Sequence, residues 1–181
     1  RIILYPMFRK TRDAFRRATG VVGISQTYLA WGLNCATREP HNFDRMIPHG
    51  YIRSKLTLAD EVNAGRLLRS LGVDPEKKIC WFLGVFGSTY DLDTVICAAR
   101  LVREEKTFEN VQFVFSGTGD LNERWRKAAR GLSNIVFTGQ LSVGHIGWMM
   151  KHSYVGLAAY DIHAPQALPN KVIEYLSAGL P

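Results

Sequence analysis

Ile79-Cys-Trp-Phe-Leu-Gly-Val-Phe86 is a continuous apolar run of strand length, followed at once by Gly87 and Ser88. A run that is apolar at every position suits a strand covered on both faces rather than one with a solvated side. From here the chain alternates regularly. The pattern predicts helices over 91–105, 121–131, 142–151 and 170–178, and strands over 111–115, 135–137 and 154–159. Apolar strands alternating with helices imply an α/β fold: a Rossmann-like parallel sheet with helices on both faces. Ligands of such sheets sit outside the carboxyl ends of the strands. The loops that matter are therefore 84–91, 116–120, 138–142 and 160–169.

Upstream, the pattern predicts helices over 8–18 and 25–33, the second capped by Ser25, and short strands over 21–24 and 44–48. Residues 53–59 are polar and irregular, as in a hinge. A helix over 60–71 should turn Val62, Leu67, Leu68 and Leu71 inward. The chain has 181 residues, 46% of them hydrophobic, enough for one good core with an appendage. It opens on Arg1 and stops just after a helix, so a fragment of a longer protein is expected. No run of eighteen apolar residues is present. Cys35, Cys80 and Cys97 are odd in number and lack CxxC spacing, which reads as reduced thiols in a cytoplasmic protein.

The formal net charge is +7, unevenly spread. Arg1, Arg9, Lys10, Arg12, Arg16 and Arg17 face only Asp13 in the first twenty residues. Such a cluster attracts the phosphates of nucleic acid, lipid head groups or acidic substrates. No RNP-like or zinc-finger pattern accompanies it, so nucleic acid is not the expected partner. With Ile2, Ile3, Leu4, Tyr5, Met7 and Phe8 ahead of it, the segment suits a membrane surface at least as well. A solvated helix at an interface is the plainer alternative.

Several local patterns bear on chemistry. Gly87 and Ser88 permit a nest of N–H groups turned toward an anion. Asp91-Leu-Asp93 spells a metal-binding DxD, but it opens a helix, where Asp91 caps and Asp93 favours the dipole. Ser116-Gly-Thr-Gly-Asp120 is half of a dinucleotide fingerprint and reads as a tight turn at Gly117. Trp81, Trp125 and Trp148 fall at core positions, and no histidine pair has metal spacing. The last helix is the most unusual. Pro169 suits its first position and Gly179 its left-handed cap, with Val172, Ile173 and Leu176 on an apolar side. Asn170, Lys171 and Glu174 share another side. The free N–H groups of Asn170 and Lys171, together with the lysine charge, make a site for phosphate. Glu174 can accept from the adjacent hydroxyls of a ribose.

Pro169-Asn-Lys-Val-Ile-Glu-Tyr-Leu-Ser-Ala-Gly-Leu-Pro181 resembles the donor-site segment of retaining family 4 glycosyltransferases of the GT-B fold. The family carries a Glu, seven residues, a second Glu, and a helix ending Gly-x-Pro. Glu174 matches the second glutamate, which implies a role on the donor ribose. The first falls on Gln166, which keeps the hydrogen-bonding shape and loses the charge. Two family cations on the donor diphosphate fall on Val85 and Tyr90. By the same resemblance, Gly117 lies in a turn near the donor and Thr138 and Gly139 face the nucleobase. Residues 1–52 would end an acceptor domain, and 53–181 would form an incomplete nucleotide-sugar domain. The resemblance implies a metal-independent, hexosyltransferase-like enzyme of polysaccharide biosynthesis with no cofactor. Lys171 and Gln166 would act at the reacting centre, and a glycan or lipid-linked acceptor would receive the sugar. Other expectations are peripheral contact with the inner face of a membrane, and no catalysis by the fragment alone. A nucleotide- or phosphate-binding module without turnover is the alternative.

Overall fold

The computed structural model describes residues 4–51, 56–164 and 169–181, which fall into two compact units divided after Gly50. The first contains α1 (Tyr5–Arg17), β1 (Val22–Gly23), α2 (Gln26–Ala36) and β2 (Arg45–Met46). β1 and β2 pair in parallel, Val22 with Arg45 and Gly23 with Met46. Ser25 caps α2 as its sequence position implied, accepting from the Tyr28 N–H. The helix runs three residues past the expected Leu33 and closes on Thr37, whose φ is 54°. α1 begins at Tyr5 rather than Phe8, with Pro6 in its first turn, where a missing N–H does no harm.

Asp44 holds this unit together. Its buried carboxylate accepts from the Val21 N–H at 2.8 Å, the His41 N–H at 2.8 Å, and the Arg38 guanidinium at 2.6 and 2.8 Å. One side chain therefore ties both strand segments and the turn after α2. The Arg38 bond, reinforced by the two backbone donors, holds the Asp44 carboxyl well below the usual carboxylate range.

The second unit contains α3 (Leu58–Ser70), β3 (Lys78–Leu83), α4 (Leu92–Glu104), a single 3₁₀ turn (Lys106–Phe108) and β4 (Val111–Ser116). It continues with α5 (Asn122–Ala128), β5 (Ile135–Gly139), α6 (Val143–His152), β6 (Val155–Gly156) and α7 (Asn170–Ala178). The four strands form a parallel sheet in the order β5-β4-β3-β6. Side chains alternate faces along each strand. Ile79, Trp81, Leu83 and Val114 join Leu68, Trp148, Met149 and Tyr175 of α3, α6 and α7 in one apolar cluster. Phe82, Phe113 and Phe115 join Leu92, Ile96 and Trp125 of α4 and α5 in the other. The expected α/β class, with helices on both faces, is what the chain adopts.

α3 differs from expectation in two respects. It starts at Leu58, where Thr57 and Asp60 form a reciprocal capping box, so the later part of the expected hinge is a helix start. Residues 52–55 lie outside the described residues. Of the four residues expected inward only Leu68 is buried, alongside Ala64 and Gly65, while Val62, Leu67 and Leu71 stay exposed. The reason is close approach to α6: a Cβ on Gly65 would lie 3.0 Å from Trp148 Nε1. Small residues, not the large apolar ones, make this contact.

α7 spans the expected 170–178, with Pro169 as its cap in extended conformation rather than its first helical residue. Its anchor is Tyr175, not Leu176, which is exposed. The Tyr175 ring lies over Gly156, where a Cβ would come within 2.4 Å of it. Its hydroxyl accepts from the Leu83 N–H at 3.2 Å and donates to the Trp81 carbonyl at 3.4 Å.

Two measurements check this packing. Gly156→Ala should destabilise the second unit by about 1–3 kcal/mol in urea unfolding, the cost of overpacking. Tyr175→Phe should cost a similar amount, about 1–3 kcal/mol, by stranding the buried Leu83 N–H. In the first unit the folded-state acidity of Asp44 is depressed, so its contribution is present above the unfolded carboxyl value of about 4 and fades as pH falls below it. Its midpoint of denaturation should drop on acidification, and Asp44→Asn should flatten that acid limb while lowering the midpoint at neutral pH.

Candidate functional site

The chain leaves β3 in one direction through α4, β4, α5 and β5, and β6 returns on the other side of β3. The loops after β3 and β6 therefore diverge from neighbouring strands, which opens a crevice at the carboxyl edge of the sheet. They are stitched together further out. Asp91 N–H donates to the Ala159 carbonyl at 2.9 Å, and Asp161 N–H to Thr89 at 3.0 Å. Tyr90 and Tyr160 meet across an isolated bridge with ring centroids 4.9 Å apart.

Gly87 and Ser88 lie in the first of these loops. Phe86 N–H is taken by the Thr118 carbonyl, Gly87 N–H by Val85, and Tyr90 N–H by Gly87. Among the described residues, the Ser88 and Thr89 N–H groups have no partner, and Ser88 is exposed. A Cβ built on Gly87 meets nothing within 4 Å. The loop thus offers two adjacent amides beside open space.

α7 starts with no side-chain cap and no acidic residue in its first turn. Its first amides, those of Asn170 and Lys171 included, have no acceptor within the helix. Lys171 Nζ lies 2.8 and 3.0 Å from the two carboxylate oxygens of Glu174. Both side chains are largely covered, at 26% and 17% exposure, and they share a cleft of about 410 Å³ with Tyr51, Leu56, Ile146 and Met150. That volume suits a small ligand. Burial pushes the Tyr51, Tyr160 and Tyr175 hydroxyls up, and the nearby Glu174 charge adds to each. All three stay protonated, neutral hydrogen-bonding groups across the physiological range.

The remaining sequence candidates sit differently. Gly117 has φ 139° and its N–H donates to the Gly139 carbonyl at 2.8 Å. A Cβ there would fall 1.8 Å from the Gly84 carbonyl oxygen, so its glycine lets the turns after β3 and β4 meet. Thr138 Oγ1 reaches Ser116 Oγ at 2.9 Å, which in turn accepts from Trp81 Nε1 at 2.8 Å. This internal chain ties the ends of β3, β4 and β5. Gly139, at φ 71°, borders open space. Gln166 lies outside the described residues.

Asp91 caps α4 by accepting from Thr94 N–H at 3.0 Å, and Asp93 pairs with Arg124 at 2.7 Å. Each acidic residue of the DxD thus has a structural partner. Trp81, Trp125 and Trp148 are buried, as their positions implied. Tyr90 packs between Phe82, Tyr160 and Gly84, and a Cβ on Gly84 would lie 3.2 Å from its hydroxyl. Val85 is exposed. Sequence reasoning missed the tyrosine surround of Glu174. Its one available signal was the placement of Tyr160 and Tyr175 either side of the α7 start.

Solved structures with the same architecture are GT-B glycosyltransferases. Sucrose-phosphate synthase from Thermosynechococcus elongatus superposes with a TM-score of 0.67 at 16% identity, covering 98% of this chain and 43% of that one. HepE of Anabaena, solved with UDP and glucose, gives 0.66 at 17%, covering 96% and 46%. WaaG, a glycosyltransferase involved in lipopolysaccharide biosynthesis, gives 0.63 at 16%, covering 88% and 42%. The chain spans less than half the length of each. No curated protein matches the sequence. The family model described as "Glycosyl transferases group 1" matches residues 77–181, more than half of the chain. The chain belongs to that family.

The Lys171–Glu174 pair sets a stability expectation. A part-exposed pair three residues apart contributes about 0.2–0.5 kcal/mol, while a cation at a helix start costs about 0.3–1. Lys171→Ala should therefore leave the urea midpoint nearly unchanged. A loss above about 2 kcal/mol would make Lys171 a structural residue instead.

Proposed function

We propose that this chain carries the donor-binding half of a retaining glycosyltransferase that moves a sugar from a nucleoside diphosphate to an acceptor hydroxyl. The observation that carries it is the uncapped start of α7, with Lys171 and Glu174 in one cleft beside the switch point of the sheet. Negative charge grows on the leaving diphosphate as the glycosidic bond breaks, so the site needs fixed positive potential. Lys171, the Asn170 and Lys171 amides behind Pro169, and the Ser88 amide beside Gly87 supply it in this reading, without a divalent metal. Glu174 accepts from the ribose hydroxyls, and Gln166, which lies outside the described residues, is assigned to the sugar ring from the sequence resemblance alone. Gly117 shapes the turn beside the donor, and Thr138 and Gly139 face the base. Donor binding requires Lys171 to exchange its bond with Glu174 for one with phosphate, which leaves Glu174 free for the ribose.

Residues 1–52 would close an acceptor domain for a glycan or lipid-linked acceptor, at the cytoplasmic face of a membrane. Residues 53–181 would form the nucleotide-sugar domain and would not transfer sugar alone. Among the described residues no helix is long and apolar enough to cross a membrane. Binding without turnover is the second reading. It is favoured by Val85 and Tyr90, which leave the loop after β3 without a cation between them.

Calorimetric titration tests the first reading. A nucleoside diphosphate should bind in EDTA as well as with manganese. Lys171→Ala should cost about 1.5–3 kcal/mol for the diphosphate and little for the nucleoside, since only the former presents charge. Glu174→Gln should weaken both by about 1–3 kcal/mol. Equal losses for both ligands with Lys171→Ala, or metal-dependent binding, would contradict the assignment. Intact donor bound with no hydrolysis or transfer by the whole protein would favour the second reading.

A further inference from the structure

The geometry points to Tyr90 as a donor-binding residue: a neutral hydroxyl, set in place by Tyr160, that bonds the diphosphate where no cation stands. This role rests on the donor-site reading and adds to it one contact and the residue that positions it. Tyr90 belongs to the loop after β3, two residues beyond Ser88. Its hydroxyl folds back over the carboxyl end of that strand, where a Cβ on Gly84 would lie 3.2 Å from both Oη and Cζ. The glycine leaves room for the phenol. The ring stands edge-on to Phe82, with centroids 5.0 Å apart, and tilted at 44° to Tyr160 on its other side. Main-chain bonds from Asp91 to Ala159 and from Asp161 to Thr89 flank that contact, so the two tyrosines cannot drift apart.

The protons of the neighbouring phenols are not equally engaged. Tyr175 donates to the Trp81 carbonyl. Burial, the hydrogen bond with Tyr90 and the Glu174 charge all keep Tyr160 protonated, so Tyr160 is the donor in that bond and Tyr90 the acceptor. Among the described residues the Tyr90 proton has no acceptor of its own. The loop therefore presents a free O–H together with the free Ser88 and Thr89 amides. Such a set of donors suits a group that accepts. A phosphate oxygen does so with short, strong bonds, whereas a sugar hydroxyl brings a further proton that must be placed. Val85 and Tyr90 leave this loop without a cation between them, so its hold on an anion is made of neutral donors. Tyr160 acts through Tyr90: by occupying the phenol oxygen it turns the remaining proton outward.

Calorimetric titration of the chain with UDP and with uridine decides it. Tyr90→Phe keeps the ring and removes the hydroxyl. It should weaken UDP about tenfold and leave uridine within about twofold. The loss should be the same at low and high salt, because a neutral group is removed, whereas Lys171→Ala should flatten the salt dependence. Tyr160→Phe should weaken UDP about threefold, and the double variant should bind no worse than Tyr90→Phe alone. Tyr154→Phe, at the amino end of the sheet under Lys78, should change neither ligand. UDP binding that depends on Lys171 yet ignores Tyr90→Phe would overturn this role and leave the donor-site reading standing. Equal losses for UDP and uridine, or single losses that multiply in the double variant, would reduce the pair to a packing contact and overturn it as well. If the wild-type chain binds no UDP, both readings fall together.

Discussion

The contact of Tyr175 with Gly156 sets the position of α7, and with it of Lys171 and Glu174. With a glycine at the end of β6, the Tyr175 ring can lie on the strand itself. Its hydroxyl then reaches two main-chain groups of β3, the Leu83 N–H and the Trp81 carbonyl. α7 is thereby fixed against both strands that flank the switch point. Tyr175 is four residues from Lys171 and adjacent to Glu174, so locking this one ring also locks the two charged groups. The Leu180 N–H closes the far end on the Tyr175 carbonyl, and the Pro181 carbonyl accepts from Gly156. A loose α7 would leave Lys171 as one more surface cation.

Electrostatics gives that rigid placement a direction. A lysine in the first turn of an uncapped helix adds its charge to the positive end of the dipole, and the pair with Glu174 only partly offsets it. The surrounding tyrosines contribute hydrogen-bonding groups and no competing charge. What remains at the helix start is positive potential beside free amides, next to a carboxylate that a phosphate ligand would release from its lysine. A cation at a helix start, held there by a carboxylate one turn on, is the kind of local inconsistency that binding relieves.

Much of this was legible in the sequence. The order of strands and helices after Ile79 follows from apolar runs and caps, and their alternation implies a parallel sheet. The bounds differ: β3 ends at Leu83 rather than Phe86, α5 at Ala128 rather than Gly131, and β6 keeps only Val155–Gly156 of the expected 154–159. The Lys171 and Glu174 spacing put both on one side of α7. What could not be read was which apolar residue does the packing. Val62, Leu67 and Leu71 look inward by size, yet α3 approaches α6 through Ala64 and Gly65. Leu176 looks inward by pattern, yet Tyr175 fills the notch that Gly156 provides. In both cases the decisive residue is a small one on the contact, and a missing side chain leaves no mark in a hydrophobic pattern. Gly117 is a related case: read as a turn beside the donor, it is also where the Gly84 carbonyl must pass.

Amide chemical shifts test the central claim most directly, because they report which backbone groups meet the phosphates. On titration with UDP, the Ser88, Thr89, Asn170 and Lys171 amides should move together and saturate at one concentration. With uridine they should stay nearly still, while resonances near Glu174 shift. Shifts spread over the same residues for both ligands, or confined to other loops, would contradict the account.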